Sequence, residues 1–382
     1  MTILTENNLI QNVGKAMRKE CTDIDQINDF LQYCQQLIFY ENTNIAGTVP
    51  DTVINDTKYF VGKLKKDYSI ENIIFESPNE DTVKANKIIK RVSNEICVKI
   101  DNINKTYKNK KESDIRVYLP KFSPEIEELV NETTEAIKNR KSNVFDKYLS
   151  VSSFKNDSCF FKIMKADENI IDNMFKIVKK NGWNKTITLG LIAEMRFMTN
   201  RAFALEDKQS FLPSRKRSKI INVNKLIYEK IDSKILEMGT QFFIKMPSLK
   251  DYLIERSNGD PKDILEYTCE LRKEFKPFRS YINKNKKINQ MELDYIINEI
   301  IDKCFSGYKK KPLEIILENL VTVIVVNTEI APIPIPILNL MKIKKEMKIN
   351  KCVQVFGEVI DDMENRGHSD YEKLLIKNCM KN

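Results

Sequence analysis

The sequence predicts a mainly α-helical protein with a small α/β unit at its N-terminus. Apolar residues recur at spacings of three and four from about residue 145 onward, which is typical of amphipathic helices. Within residues 20–105, helical stretches alternate with short extended runs, which indicates an α/β arrangement. We therefore expect a small α/β N-terminal unit over residues 1–106 and a helical C-terminal region over residues 117–382, joined by the polar stretch 107–116.

The overall composition is that of a folded protein. The chain has 382 residues, of which 42% are hydrophobic and 31% are charged, with 10 Gly and 12 Pro. These values exclude a collagen-like chain and a wholly disordered one. The length allows two domains, or one large domain, with a packed core.

The elements of the N-terminal unit follow from apolar spacing and from proline positions. Residues 44–49 are predicted to be extended, and a second helix begins after Pro50. The run 73–75 is too short for a helix and is a strand candidate, and a long helix is expected from about 82 to 105. The first helix, over 24–39, is predicted from one apolar stripe: Ile24, Ile27, Leu31, Cys34 and Ile38.

The C-terminal region is predicted to be a series of helices. Gly182, Gly239 and Gly259 fall where helices should end, because a left-handed cap favours glycine. The helical segments lie near 168–181, 186–205, 222–238, 247–256, 261–283, 290–305 and 312–326.

The most apolar segment spans residues 313–341. The 22 residues from Leu320 to Met341 contain one ionisable group, Glu329, and that length could cross a bilayer. Prolines break a helix in its second half, at Pro332, Pro334 and Pro336. We therefore expect a buried helix to about Val326, followed by a Pro-rich extended strap. Insertion of this segment into a membrane is the alternative, so a membrane partner is the less favoured expectation.

The net charge is a weaker guide to function than the positions of arginine. The chain has 63 Lys+Arg against 54 Asp+Glu, a net charge of +9, and 51 of the basic residues are Lys. Lys, Ile and Asn are abundant and share AT-rich codons, so codon bias explains much of the excess. Arginine offers a planar fork that matches phosphate and carboxylate groups. Places where the scarce arginines cluster are therefore the better indicators of a binding site.

Missing motifs argue against several classes of chemistry. The sequence has no GxxxxGK(S/T), no GxGxxG and no GxSxG, which are the motifs of phosphate loops, dinucleotide sites and hydrolase elbows. Its single histidine, His368, lies among turn-forming residues, and its eight cysteines form no CxxC. We expect neither a cofactor nor a metal site. Scattered cysteines and the absence of a secretory signal in the first twenty residues predict a cytoplasmic protein.

Two arginine-containing segments are the predicted binding sites. The densest basic run, Arg215 to Lys219, follows Phe211-Leu212-Pro213, and it is either a contact for phosphate or an acidic partner, or a solvated loop. In the second segment, Pro277 interrupts a helical run between two arginines. The predicted binding residues are Arg215, Arg217, Lys219, Arg272 and Arg279.

These segments also carry a resemblance to a family of uncharacterised bacterial proteins of similar length. The family has a helix with E-L-R followed by an F-R pair, as in Glu270-Leu271-Arg272 and Phe278-Arg279. Arg196-Phe197 leading to Leu212-Pro213 with Arg215, and the run 37–40, are similar too. The resemblance covers about a third of the chain in short pieces and implies a bacterial, intracellular setting without an assigned activity.

Three functional hypotheses follow. The first is an intracellular binding or interaction protein that contacts nucleic acid or an acidic protein partner through the arginine-rich sites. One setting for it is an accessory role in a stress or phage-defence system. The second is a metal-dependent nuclease, in which two carboxylates hold a divalent ion and a lysine orients the attacking water; its candidate residues are Asp260, Glu274 and Lys276. The third is a membrane-active effector that uses residues 313–341.

Overall fold

Helices dominate the described secondary structure, and the N-terminus belongs to an α/β unit, as the sequence predicts. The computed structural model of the protein describes residues 2–46, 51–68, 73–76, 82–116, 124–141, 162–165, 167–206, 209–216, 241–244, 249–284, 287–288, 290–305, 322–326, 347–348, 352–355 and 370–380.

Within these ranges, the helices of five or more residues are numbered consecutively along the chain. They are α1 (Asn7–Arg18), α2 (Ile24–Phe39), α3 (Asp51–Tyr68), α4 (Thr82–Tyr107), α5 (Glu112–Arg116), α6 (Pro124–Asn139), α7 (Glu168–Asn181), α8 (Lys185–Glu206), α9 (Lys250–Arg256), α10 (Pro261–Glu274), α11 (Lys276–Lys284), α12 (Gln290–Phe305) and α13 (Asp370–Cys379).

The strands are short. They are β1 (Thr2–Glu6), β2 (Asn42–Ala46), β3 (Ile73–Glu76), β4 (Ser210–Leu212), β5 (Gln241–Ile244), β6 (Lys287–Ile288), β7 (Thr322–Val326), β8 (Met347–Lys348) and β9 (Cys352–Val355).

The chain forms two compact units that do not follow the predicted boundaries. The first unit consists of residues 1–45, 55–75 and 207–382, and the second consists of residues 46–54 and 76–206. The first unit therefore contains both ends of the chain, whereas a division into 1–106 and 117–382 would separate them. The predicted linker over 107–116 is partly α5. Its polar composition reflects exposed side chains near a helix end and is no sign of a domain boundary.

The first unit contains a seven-stranded mixed sheet in the order β3-β2-β1-β4-β9-β7-β5. β1 is parallel to β4, with Ile3 opposite Ser210 and Thr5 opposite Leu212. β4 is parallel to β9, whereas β7 is antiparallel to both β9 and β5. β2 and β3 lie on one side of β1 and β4 lies on the other. The order of the strands therefore reverses between β1 and β4.

This sheet is larger than the sequence predicts, because it includes strands from the C-terminal region. The apolar spacing predicts a helix over residues 312–326, yet Thr322–Val326 form β7 between β9 and β5. The helix prediction is wrong there because a short apolar run fits a buried strand or a buried helix equally well. The β-branched sequence TVIVV favours the strand. The predicted helix over 222–238 lies outside the described residues.

The core of the first unit is built around α2. Its apolar face contacts α1 and α10, and three rings meet near its C-terminal end. The ring centroids of Phe39 and Phe275 are 5.3 Å apart, and those of Phe39 and Phe278 are 6.0 Å apart, both edge-to-face. Such pairs add attraction beyond the area they bury. α2 is thereby a fixed element, and the residues at its two ends are held in defined positions.

The predicted glycine caps agree with the structure where it describes them. Gly182 and Gly259 have positive φ, 76° and 70°, after α7 and α9. At Gly259 a Cβ would also lie 2.5 Å from the backbone nitrogen of Leu375 in α13, so the helix end requires glycine for space as well as for conformation. Gly239 lies outside the described residues.

The second unit is helical within the described residues and has a polar interior contact. The Tyr107 hydroxyl, at the end of α4, donates to Glu194 Oε1 in α8 at 3.0 Å, and both side chains are buried. Gly190 lies against the Tyr107 ring, where a Cβ would be 2.3 Å from a ring carbon. The glycine in α8 therefore allows α4 and α8 to pack closely.

Candidate ligand site

The candidate site lies at the carboxyl ends of β1 and β4. Parallel strands end at the same edge of a sheet, and α/β proteins bind ligands at that edge where the strand order reverses. β1 ends at Glu6, and Asn7 begins α1 directly after it. β4 ends at Leu212 and is followed by Pro213, Ser214 and Arg215. The predicted basic run therefore starts at the reversal point of the sheet.

Two buried carboxylates hold the backbone that follows β4. Glu6 Oε2 accepts a hydrogen bond from the amide of Ser214 at 3.0 Å. Asp29 Oδ1 accepts one from the next amide, that of Arg215, at 2.6 Å. Asp29 Oδ2 accepts from Asn12 Nδ2 at 2.7 Å. Consecutive amides are thus fixed by an acid from β1 and an acid from α2, which sets the direction in which the basic run leaves the sheet.

One face of α2 supplies the polar side chains of the site. Asp25, Asn28 and Asp29 are three and four positions apart, so they project from the same side of the helix. Arg215 Nε lies 3.8 Å from Asp25 Oδ1, and the Arg215 side chain is 3% exposed. Lys216 forms an ion pair with Asp23, the residue that caps α2 by accepting from the Gln26 amide.

Burial makes the Asp29 carboxyl a weaker acid than usual. It is fully buried, and burial raises the pKa of its carboxyl from its ordinary value of 3.8 to about 8. The nearby Asp25 and Glu6 carboxylates raise it further, whereas hydrogen bonds from the Arg215 amide and Asn12 lower it. Carboxyl groups with strongly shifted pKa values cluster at functional sites.

A buried lysine and two asparagines complete the site. Lys250 Nζ donates to Asn28 Oδ1 at 3.2 Å, and Lys250 is 8% exposed. Thr57 Oγ1 donates to Asn7 Oδ1 at 2.5 Å. The amide nitrogens of Asn7 and Asn28 are buried and have no hydrogen-bond partner among the described residues. The site therefore contains two amide donors whose oxygens are already fixed.

Arg272 and Arg279 are directed into the fold. Arg272 Nη1 donates to the carbonyls of Leu37 and, at 2.6 Å, of Tyr40, and its Nη2 donates to the carbonyl of Glu41 at 2.8 Å. Arg279 Nη1 donates to the carbonyl of Ile38 at 2.5 Å. Both guanidinium groups thus bind the carbonyls at the C-terminal end of α2, where cations are favoured.

The geometry corrects the interpretation of these two arginines as external binding residues. Arg279 is 5% exposed, its Nη2 donates to the Arg272 carbonyl at 2.6 Å and its Nε to Glu41 at 3.2 Å. Burial lowers the pKa of both guanidinium groups. Pro277 lies in the first turn of α11, and this helix directs Arg279 toward α2. The proline therefore does not project Arg279 outward.

The nuclease residues do not converge, and this interpretation is wrong for that trio. Asp260 caps the beginning of α10 by accepting from the Lys262 and Asp263 amides, whereas Glu274 is the last residue of the same helix. A helix of this length separates its ends by about 20 Å. Glu274 forms an ion pair with Lys303 on α12, and Lys276 is exposed. Two carboxylates so far apart cannot share one divalent ion.

The described residues also contain no group of three or more His, Cys, Asp or Glu side chains that could hold a metal ion. Of the apolar segment 313–341, the structure describes β7 alone. Within the described part of the chain, no helix is long and apolar enough to cross a membrane.

Arg215 lies in the polar cluster, buried beside Asp25, and the sequence misses most of its neighbours there. Arg217 and Lys219 lie outside the described residues. One signal could have found two of the others, because Glu6-Asn7 directly follow the short N-terminal run and mark the end of a first strand. Asp29 lies opposite the apolar stripe of Ile27 and Leu31 by the helical repeat, so no local pattern indicates that it is buried. Glu6, Asn7, Asn28, Asp29 and Lys250 were not among the predicted site residues.

The fold and the site define an α/β unit with a polar cluster at the reversal point of its sheet, in a chain that also contains a helical unit. Comparisons with protein-family models, with curated proteins and with solved structures find no match.

Proposed function

We propose that the protein is a cytoplasmic bacterial binding protein that contacts nucleic acid through the basic run Arg215–Lys219. One observation carries the proposal: this run, the densest in the chain, begins at the edge of the sheet where α/β proteins bind ligands. Its first residues are anchored by acids, Arg215 by Asp25 and Asp29 and Lys216 by Asp23. Contact with the ligand then falls to Arg217 and Lys219.

The division of roles within the run supports a nucleic-acid partner. Arg215 is buried, so it anchors the start of the basic run, and the cations after Lys216 remain for phosphates. Arginine and lysine neutralise phosphates and release counterions, which makes binding strongly dependent on salt. An acidic protein partner is the alternative that the sequence leaves open. A role as an accessory in a stress or phage-defence system is part of this proposal and rests on sequence character alone.

The test is fluorescence anisotropy with labelled single-stranded RNA and DNA at several salt concentrations. The variant Arg217→Gln/Lys219→Gln should bind less tightly, and its slope of log affinity against log salt should be smaller by about 1.4, or 0.7 per lost phosphate contact. The control, Lys65→Gln/Lys66→Gln, removes the same charge from exposed positions in α3 and should leave both values near those of the wild type.

Two results would contradict the proposal. Affinity that stays constant between about 50 and 200 mM salt would exclude phosphate contacts of this kind. Equal losses in the test and control variants would show that net charge alone, and not this basic run, determines binding.

A further inference from the structure

Six cationic side chains lie at the C-terminal ends of α6 and α7, in the second unit. All six are exposed, and we call them the helical basic surface: Lys138, Arg140, Lys141, Lys176, Lys179 and Lys180. Among the described residues, two acids form ion pairs with them, Glu135 with Lys138 and Asp172 with Arg140. The surface therefore carries an excess of positive charge.

Contacts around Phe175 show that the two helix ends lie together. The guanidinium carbon of Arg140 is 5.6 Å from the centroid of the partly exposed Phe175 ring, and Lys179 Nζ is 5.0 Å from the same centroid. Arg140 Nη2 also lies 2.7 Å from Asp172 Oδ1 in α7. The three lysines of α7 lie within about 100° of one another around the helix axis. The cations from the two helices thus share one surface.

Stabilisation of the helix ends explains part of this charge, because cations in a last turn interact favourably with the carbonyl end of a helix. Arg140 needs a different explanation. It follows the last residue of α6 and has a positive φ of 52°. A side chain strains that conformation, whereas glycine adopts it freely, as Gly182 and Gly259 do after α7 and α9. The chain therefore places a guanidinium where glycine would be less strained.

The surface has cations to offer and no apolar group to insert. Lys141, Lys176 and Lys180 form no ion pair within the part of the chain that the structure describes. Among the described side chains of α6 and α7, none is large, apolar and exposed. Helices that bind lipid surfaces add such side chains, whereas contact with a nucleic-acid backbone depends on charge. Charge complementarity therefore favours a chain of phosphates as the partner.

We propose that the helical basic surface binds the phosphate backbone of a nucleic acid. The inference rests on the proposed function for its class of ligand and adds a contact surface in the second unit. Lys141, Lys176 and Lys180 contact phosphates directly. Arg140 is positioned by Phe175 and Asp172 and keeps further guanidinium donors for a phosphate. Phosphate contacts do not read bases, so this surface should show little sequence preference.

The primary test is fluorescence anisotropy with labelled single-stranded RNA and DNA at several salt concentrations. Lys176→Gln/Lys180→Gln should bind about tenfold more weakly at about 50 mM salt, and its slope of log affinity against log salt should be smaller by about 1.4. The control, Lys87→Gln/Lys90→Gln, removes the same charge from exposed positions near the start of α4 and should bind like the wild type. Equal losses in the two variants would overturn the proposal, because net charge alone would then explain them.

The variant Arg140→Gly separates binding from folding. Its melting temperature should stay near that of the wild type, because glycine relieves the strain at this position and the lost ion pair is exposed. Its affinity for nucleic acid should nevertheless fall. Wild-type affinity in both Arg140→Gly and Lys176→Gln/Lys180→Gln would contradict the proposal. If the lysine variant lost binding only to phosphatidylserine vesicles, the surface would belong to a lipid partner and the proposal would be wrong.

The same titrations distinguish this proposal from the proposed function. A smaller salt slope in Arg217→Gln/Lys219→Gln alone would support the basic run and overturn the helical basic surface. A smaller slope in Lys176→Gln/Lys180→Gln alone would support the helical basic surface and overturn the basic run as the contact.

Discussion

The two ends of α2 are both held by arginines, but by different chemistry. At the C-terminal end, Arg272 and Arg279 bind mainly backbone carbonyls, which carry no titratable charge, and Arg279 also pairs with Glu41. At the N-terminal half, Arg215 lies beside Asp25, and its amide is bound by Asp29. The first arrangement closes a helix end and leaves its guanidinium groups buried. The second contains more ionisable groups than are needed to hold a turn.

This difference separates a structural use of arginine from a candidate site. Carbonyl oxygens at a helix end need donors, and a planar guanidinium can serve several of them at once. By contrast, a core has no need for an acid as strongly desolvated as Asp29, since an apolar side chain or an amide would hold the same place at lower cost. The comparison predicts opposite responses to substitution at the two ends.

The largest loss of stability on substitution is expected at the C-terminal end. Arg272→Met should destabilise the protein by about 3 kcal/mol, because it leaves several partly buried carbonyls without a donor. Arg272→Lys should restore little of this loss, since an ammonium cannot reproduce the planar fork that reaches the carbonyls of Tyr40 and Glu41. Urea unfolding measures both variants. A stability of either variant equal to that of the wild type would show that the carbonyls find other partners.

The second effect is at Asp29, where substitution should stabilise the protein instead of destabilising it. Its pKa is raised from 3.8 unfolded to about 8 folded, so between these values folding takes up a proton and stability falls as pH rises. This group alone should lower the free energy of unfolding by about 1.4 kcal/mol per pH unit across that window. Asp29→Asn should remove that slope and stabilise the protein at pH 8, with Asn12 turning its amide to offer an oxygen.

Urea unfolding at pH 5, 6, 7 and 8 provides the measurement, with Asp302→Asn on the exposed face of α12 as the matched control. Parallel pH profiles for wild type and Asp29→Asn would mean that Asp29 is ionised in the fold at neutral pH. The polar cluster would then carry one more negative charge.

The same two ends show how far the sequence could be interpreted. The helix over 24–39 was predictable from its apolar stripe, and the observed α2 has the same limits. The direction of Arg272 and Arg279 was not, because inward and outward arginines look alike until the partner helix is placed. The pairing of β4 with β1 could not be predicted for a similar reason. β4 is three residues long and pairs with a strand about two hundred positions earlier, so no local pattern reveals the pairing.

The smallest effect is expected at Lys216, which tests whether the anchoring of the basic run depends on its surface pair. Lys216→Ala removes the ion pair with Asp23 at a partly exposed position, where such pairs contribute about 0–1 kcal/mol. Asp23→Ala should cost more, about 1 kcal/mol in addition, because Asp23 also caps α2 through the Gln26 amide. Equal losses in the two variants would assign the effect to the ion pair. A larger loss for Asp23→Ala would assign it to the helix cap, and the buried acids Asp25 and Asp29 would then be the main anchors of the run.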